Sequence, residues 1–133
     1  MLLTLLLFFA GCSDQTSTPT APSTDSATPL AKFGDIQAKV FSSTCAVAGC
    51  HSASSSQGNL TLESGESYSN LVNVQSVLYP QYKRVQPGDG ASSLLLKILR
   101  GEVNLRMPLN QPPLPDEVID SIEAWINNGA QNN

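Results

Sequence analysis

The chain predicts an all-α domain, and three apolar stripes at helical spacing carry that expectation. Phe33, Ile36, Val40 and Phe41 form the first, and Leu94, Leu95, Ile98 and Leu99 the second. Val118, Ile119, Ile122, Trp125 and Ile126 form the third. Side chains three and four positions apart share one helix face, so each stripe can be buried as a unit. The punctuation agrees. Asp35 stands near the start of the first helix, which should run into Cys45. A shorter stretch from Glu66 to Val72 places Tyr68, Leu71 and Val72 on one side. Asp89 or Ser92 is the expected N-cap of Ser93 to Arg100, and Gly101 ends that helix. The last helix, Asp116 to Asn128, has Pro115 at its first position, acidic Asp116 and Glu117 near its N-terminus, and Gly129 as its stop.

The 133 residues divide into three parts. Met1 to Ala10 is apolar except for Thr4, yet a helix needs about 20 residues to span a bilayer. The run instead matches the hydrophobic region of a secretory signal peptide. Phe9-Ala10-Gly11-Cys12 resembles the lipobox of bacterial lipoproteins, which assigns residues 1–12 to a signal peptide with a lipid-modified Cys12. The alternative is an ordinary signal peptide with a chance cysteine. Residues 13–31 are dominated by Ser, Thr, Pro, Ala and Asp, with too little apolar surface to offset the entropy of ordering. Such a linker reaches about 20–25 Å. Residues 32–130 are then one small domain, lipid-anchored in the cell envelope and facing the periplasm. A chain this short buries a limited share of its surface, and a large apolar prosthetic group would enlarge its core. The net charge of −4, from seven basic and eleven acidic residues, argues against nucleic acid as a partner and mildly favours a basic protein. No catalytic acid–base pair or activated nucleophile is present, so the chain is not read as an enzyme.

The chemistry lies in Cys45-Ala46-Val47-Ala48-Gly49-Cys50-His51. Two thiols followed at once by a histidine is the arrangement that attaches haem covalently. Each sulfur adds to a vinyl group, and the imidazole is held under the ring as an iron ligand. Four residues separate the cysteines where two are usual. The extra residues must bulge away from the ring, and Gly49 suits such a turn because it tolerates positive φ. His51 is the only histidine, and Met107 the only methionine besides Met1. A low-spin electron-transfer haem takes one imidazole and one thioether. Met107 sits in Arg106-Met107-Pro108-Leu109, in a loop stiffened by Pro108, Pro112, Pro113 and Pro115, which limits the freedom lost on ligation. Rival readings stay open at this stage. Cys45 and Cys50 could close a disulfide in an exported protein. They could also join His51 at a zinc ion, although no fourth Cys or His exists. Met107 could be a gap-filling core residue. Arg84 is the first candidate for contacting haem propionates, ahead of Tyr82, Lys83 and Arg106, and each of these equally suits a solvated surface.

The C-x4-C-H spacing resembles the haem motif of a group of small bacterial c-type cytochromes, monohaem proteins often built as periplasmic lipoproteins. The likeness continues through Asn70-Leu71-Val72, Arg84-Val85-Gln86-Pro87-Gly88-Asp89, Ser93-Leu94-Leu95, Lys97, the RMPL loop and Ile122-Glu123-Ala124-Trp125-Ile126-Asn127-Asn128-Gly129-Ala130. It implies a small class I-like cytochrome c domain, with helices wrapped around one covalently attached haem c. The resemblance further implies thioethers at Cys45 and Cys50 and axial ligation by His51 and Met107. It also implies a first helix ending at the attachment cysteines, and a last helix crossing it near Phe33 and Phe41. The expected role is a monomeric electron carrier passing single electrons between redox proteins. The alternatives are a haem-based gas or redox sensor with a labile Met107, and a non-haem lipoprotein stapled by a disulfide.

Overall fold

The computed structural model describes residues 32–133. The expected signal peptide, the lipidation of Cys12 and the linker lie outside the described residues. Within them the chain forms helices α1 (Phe33–Ile36), α2 (Ser67–Leu71), α3 (Leu94–Arg100) and α4 (Asp116–Asn127), joined by long turns. No helix among the described residues is long and apolar enough to cross a membrane.

The first apolar stripe is buried as its spacing predicts, but its winding changes part-way. After Ile36 the helix continues over Gln37–Cys45 in π geometry. The Ala46 N–H closes it on the Phe41 carbonyl, five residues back, at 2.7 Å. A π turn is wider than an α turn, so it shifts the face presented by the residues that follow. Here those residues lead into Cys45. The N-terminus of α1 is capped from the far end of the chain. Phe33 donates its N–H to Asn133 Oδ1 and Gly34 donates to the Asn133 carbonyl, both at 2.9 Å. Two N–H groups that the helix cannot satisfy internally are thereby paired.

α4 supplies the opposite wall of the core. Ile119, Ile122, Trp125 and Ile126 are buried, each such side chain contributing about 1.5–3 kcal/mol of hydrophobic transfer energy. The Phe33 ring lies 5.3 Å from Trp125 and 5.1 Å from Tyr68. The polar tips of both partners are satisfied by the C-terminal tail. Trp125 donates Nε1–H to the Gln131 carbonyl at 2.8 Å, and Tyr68 donates its hydroxyl to the Ala130 carbonyl at 2.9 Å. The tail is thus part of the fold through Asn133.

α3 departs from expectation in two ways. Its first helical residue is Leu94, with Ser93 as the flanking residue. Asp89 Oδ1 accepts the Ser92 N–H at 2.9 Å, forming a turn ahead of the helix rather than capping it. Its inward face is also wider than the predicted stripe. Leu96 is buried with Leu94 and Leu99, while Leu95 and Ile98 are half-buried. The reason is that α3 is covered on two sides. One side packs on α4, where Gly90 approaches so closely that its N–H donates to Asn127 Oδ1 at 2.8 Å. The other side lines a cavity.

Between α2 and α3 the chain makes two isolated bridge pairings, Val72 with Val85 and Gln75 with Lys83. These fix the backbone of Arg84, whose N–H donates to the Val74 carbonyl at 2.8 Å and whose carbonyl accepts from Leu95 at 3.0 Å.

Candidate cofactor site

The cavity occupies about 480 Å³ and is walled mainly by aliphatic side chains between Val40 and Leu109, with none from α4. Such a volume lies in the range of small-molecule and cofactor sites, about 300–1,000 Å³. Val40, Phe41 and Leu71 come from the first half. Leu94, Leu95, Ile98 and Leu99 come from α3, and Leu105 and Leu109 flank Met107. Cys45, Cys50, His51 and Met107 all line this one space, as does Arg84.

The cysteine loop is built by the backbone. The Cys50 N–H donates to the Val47 carbonyl at 3.0 Å, and the His51 N–H reaches back to the Cys45 carbonyl at 3.1 Å. Val47 and Ala48 are exposed and lie off the cavity, while Gly49 returns the chain to its wall beside Cys50. Gly49 has φ +85°, the left-handed conformation expected of it. Ser55 Oγ accepts the Gly49 N–H at 2.8 Å and holds the turn. Both cysteines are free thiols. Cys45 is half-buried and Cys50 exposed, and burial, with the Cys50 sulfur beside it, pushes the Cys45 thiol up to about 11. No group of three or more His, Cys, Asp or Glu side chains able to hold a metal ion occurs among the described residues.

His51 is oriented for ligation. Its Nδ1 lies 3.1 Å from the Leu60 carbonyl. That contact assigns the proton to Nδ1 and leaves the Nε2 lone pair available, the usual state of a metal-binding imidazole. The backbone of His51 is held as well, its carbonyl accepting from Leu62 at 2.8 Å. Met107 is half-buried, and its N–H donates to the Ile98 carbonyl at 3.2 Å, which ties the proline-rich loop to the end of α3.

Compared with family models, with curated proteins and with solved structures, the chain has no match. The reading of the site therefore rests on its chemistry.

Arg84 is the one charged group in the cavity wall, and it is only 8 % exposed. Its Nη1 donates to the Asn70 carbonyl at 2.8 Å, and its Nη2 donates to the Gly58 and Asn59 carbonyls, each at 2.9 Å. Burial lowers its pKa from the ordinary value, yet a guanidinium stays charged. No carboxylate lies within ion-pair range of it among the described residues. Three of its five N–H groups are engaged, so two remain for an anion. The other three candidates lie off the cavity. Tyr82 carries Lys97 Nζ over its ring at 5.4 Å, Lys83 donates to Asn73 Oδ1 at 3.1 Å, and the stem of Arg106 packs beside Gly101. Ser76, Tyr79 and Gln57 add polar atoms to the wall. Nothing in their sequence setting distinguishes them from ordinary loop residues.

The donor set fits a haem. Two thiols, an imidazole with a free Nε2, a thioether and a buried cation converge on one largely apolar space.

Proposed function

We propose that this domain is a monohaem c-type cytochrome of the cell envelope, tethered through a lipid on Cys12 and carrying single electrons between redox proteins. The observation that carries the reading is the convergence of Cys45, Cys50, His51 and Met107 on a single apolar cavity, with His51 Nδ1 already bonded. Bound there, haem supplies a one-electron couple at its iron.

The chain's own groups do the rest. Cys45 and Cys50 would carry the two thioether links, and His51 Nε2 and Met107 Sδ would be the groups that hold the iron. The Leu60 carbonyl holds the imidazole proton at Nδ1 and keeps the ring in one tautomer. Leu95, Ile98 and Leu99 give the cavity an apolar wall, which would lower the polarity around a bound haem. Arg84 has two remaining N–H groups that would serve a propionate. The proline-rich loop holds Met107 near the cavity before ligation and so reduces the entropy lost on it.

The test is the mass and the pyridine haemochrome spectrum of the protein exported from a host with cytochrome c maturation machinery. One haem per chain, retained under denaturing conditions, is expected. A chain of unmodified mass with a Cys45–Cys50 disulfide refutes the proposal. Carbon monoxide added to the reduced protein should not bind until Met107 is replaced by alanine. Binding to the unsubstituted protein would replace the carrier reading with that of a sensor.

A further inference from the structure

Arg84 does more than offer charge to a cofactor. We infer that it is the positioning residue for His51, acting through the loop Gly58–Asn59–Leu60; this rests on the haem reading above. The guanidinium reaches across 25 residues of sequence from a backbone pinned on both sides, by Val74 and by Leu95. One nitrogen, Nη2, bridges two successive carbonyls, those of Gly58 and Asn59. The very next carbonyl, that of Leu60, accepts from His51 Nδ1.

The loop needs such a hold. Gly58 and Asn59 both adopt left-handed backbone conformations, with φ of +65° and +53°. Asn59 carries a Cβ, and although asparagine adopts that conformation more readily than most residues, it does so less freely than glycine. Gly58 and Asn59 turn their carbonyls to the same nitrogen, and a charge-assisted pair of bonds outweighs the local preference for other conformations. With the loop fixed, the Leu60 carbonyl presents a constant acceptor to the imidazole. The strength and direction of that bond set ring orientation and ligand basicity. Arg84 thereby governs the axial ligand without touching it.

A lysine retains the charge but is a compact ammonium on a flexible stem, without a planar fork. Arg84→Lys and Arg84→Met therefore separate charge from geometry. Both variants and the unsubstituted protein are matured with haem, and attachment is confirmed by haemochrome. Absence of haem from the unsubstituted protein refutes the functional proposal itself. In the reduced, diamagnetic state, solvent exchange of the His51 Nδ1–H is followed by NMR alongside the slowly exchanging amides of α4. Exchange of the ring proton should accelerate about tenfold or more in both variants, as expected when hydrogen bonds to a charged group are lost. The α4 amides should not follow it. The inference is overturned if Arg84→Lys exchanges like the unsubstituted protein, which would make the residue a charge alone. It is equally overturned if ring proton and α4 amides accelerate together, which would make it a general stabiliser. Should Arg84→Met fail to fold, the lysine variant decides the matter.

Discussion

Replacing the two cysteines proposed to carry haem, as Cys45→Ala/Cys50→Ala, should remove cooperative folding when no haem is supplied. The scale follows from the cavity. At about 24 cal/mol per Å³ of unfilled apolar volume, 480 Å³ corresponds to a ceiling of about 12 kcal/mol. The cavity is not sealed, because Leu78 and Leu109 on its wall are 63 % and 55 % exposed, so water enters and the cost falls below the ceiling. Half of it, about 6 kcal/mol, still matches the lower end of the 5–15 kcal/mol that stabilises a domain of roughly a hundred residues. The haem-free variant should therefore lie near or below the folding threshold. Trp125, the only tryptophan and 1 % exposed, is a convenient reporter. Its near-UV circular dichroism should be lost and its emission shifted to the red, with no sharp thermal transition. A haem-free double variant that keeps the native Trp125 signals and melts cooperatively above about 50 °C would refute the reasoning. It would mean that the walls close on themselves without the cofactor.

Three further outcomes follow from packing and charge. A Cβ on Gly90 would sit 3.0 Å from Asn127 Oδ1, Glu123 Cγ and Leu96 Cδ1. Gly90→Ala should thus cost about 1–3 kcal/mol and lower the melting temperature, and an unchanged value would contradict the close approach of this turn to α4. Asn133→Ala should cost about 1 kcal/mol, the usual effect of losing an N-cap, and should speed amide exchange at Phe33 but not at Gly34, whose acceptor is the backbone carbonyl. Equal exchange at Phe33 before and after would dismiss the side-chain cap. Arg100 hydrogen-bonds Glu123 at 2.7 Å and holds its carboxyl below the usual 4.5. The stabilisation is complete above the unfolded value and disappears as pH falls through the lowered folded one. The pair is partly exposed, so its contribution stays under about 1 kcal/mol and shrinks in salt. The melting temperatures of the unsubstituted protein and Glu123→Gln, each matured with haem, should converge as pH falls below the usual carboxylate range; a gap that widens instead would reverse the assignment.

Local chemistry was legible in the residues themselves. The apolar stripes marked Phe33, Val40, Ile122 and Trp125 as core because helical periodicity is a property of neighbouring positions. Gly49 announces a left-handed turn because its missing side chain permits one, and His51 and Met107 stand out as the only histidine and the only methionine besides Met1. Other features depend on contacts between distant segments, and no local pattern encodes those. The π winding before Cys45, the burial of Leu96, the cap from Asn133 and the off-cavity positions of Tyr82, Lys83 and Arg106 are of this kind. Arg84 belongs to both. Its type declared a cation, but only the folded chain determined which carbonyls it would hold, because the loop at Gly58 and the segment at Arg84 meet solely through tertiary packing.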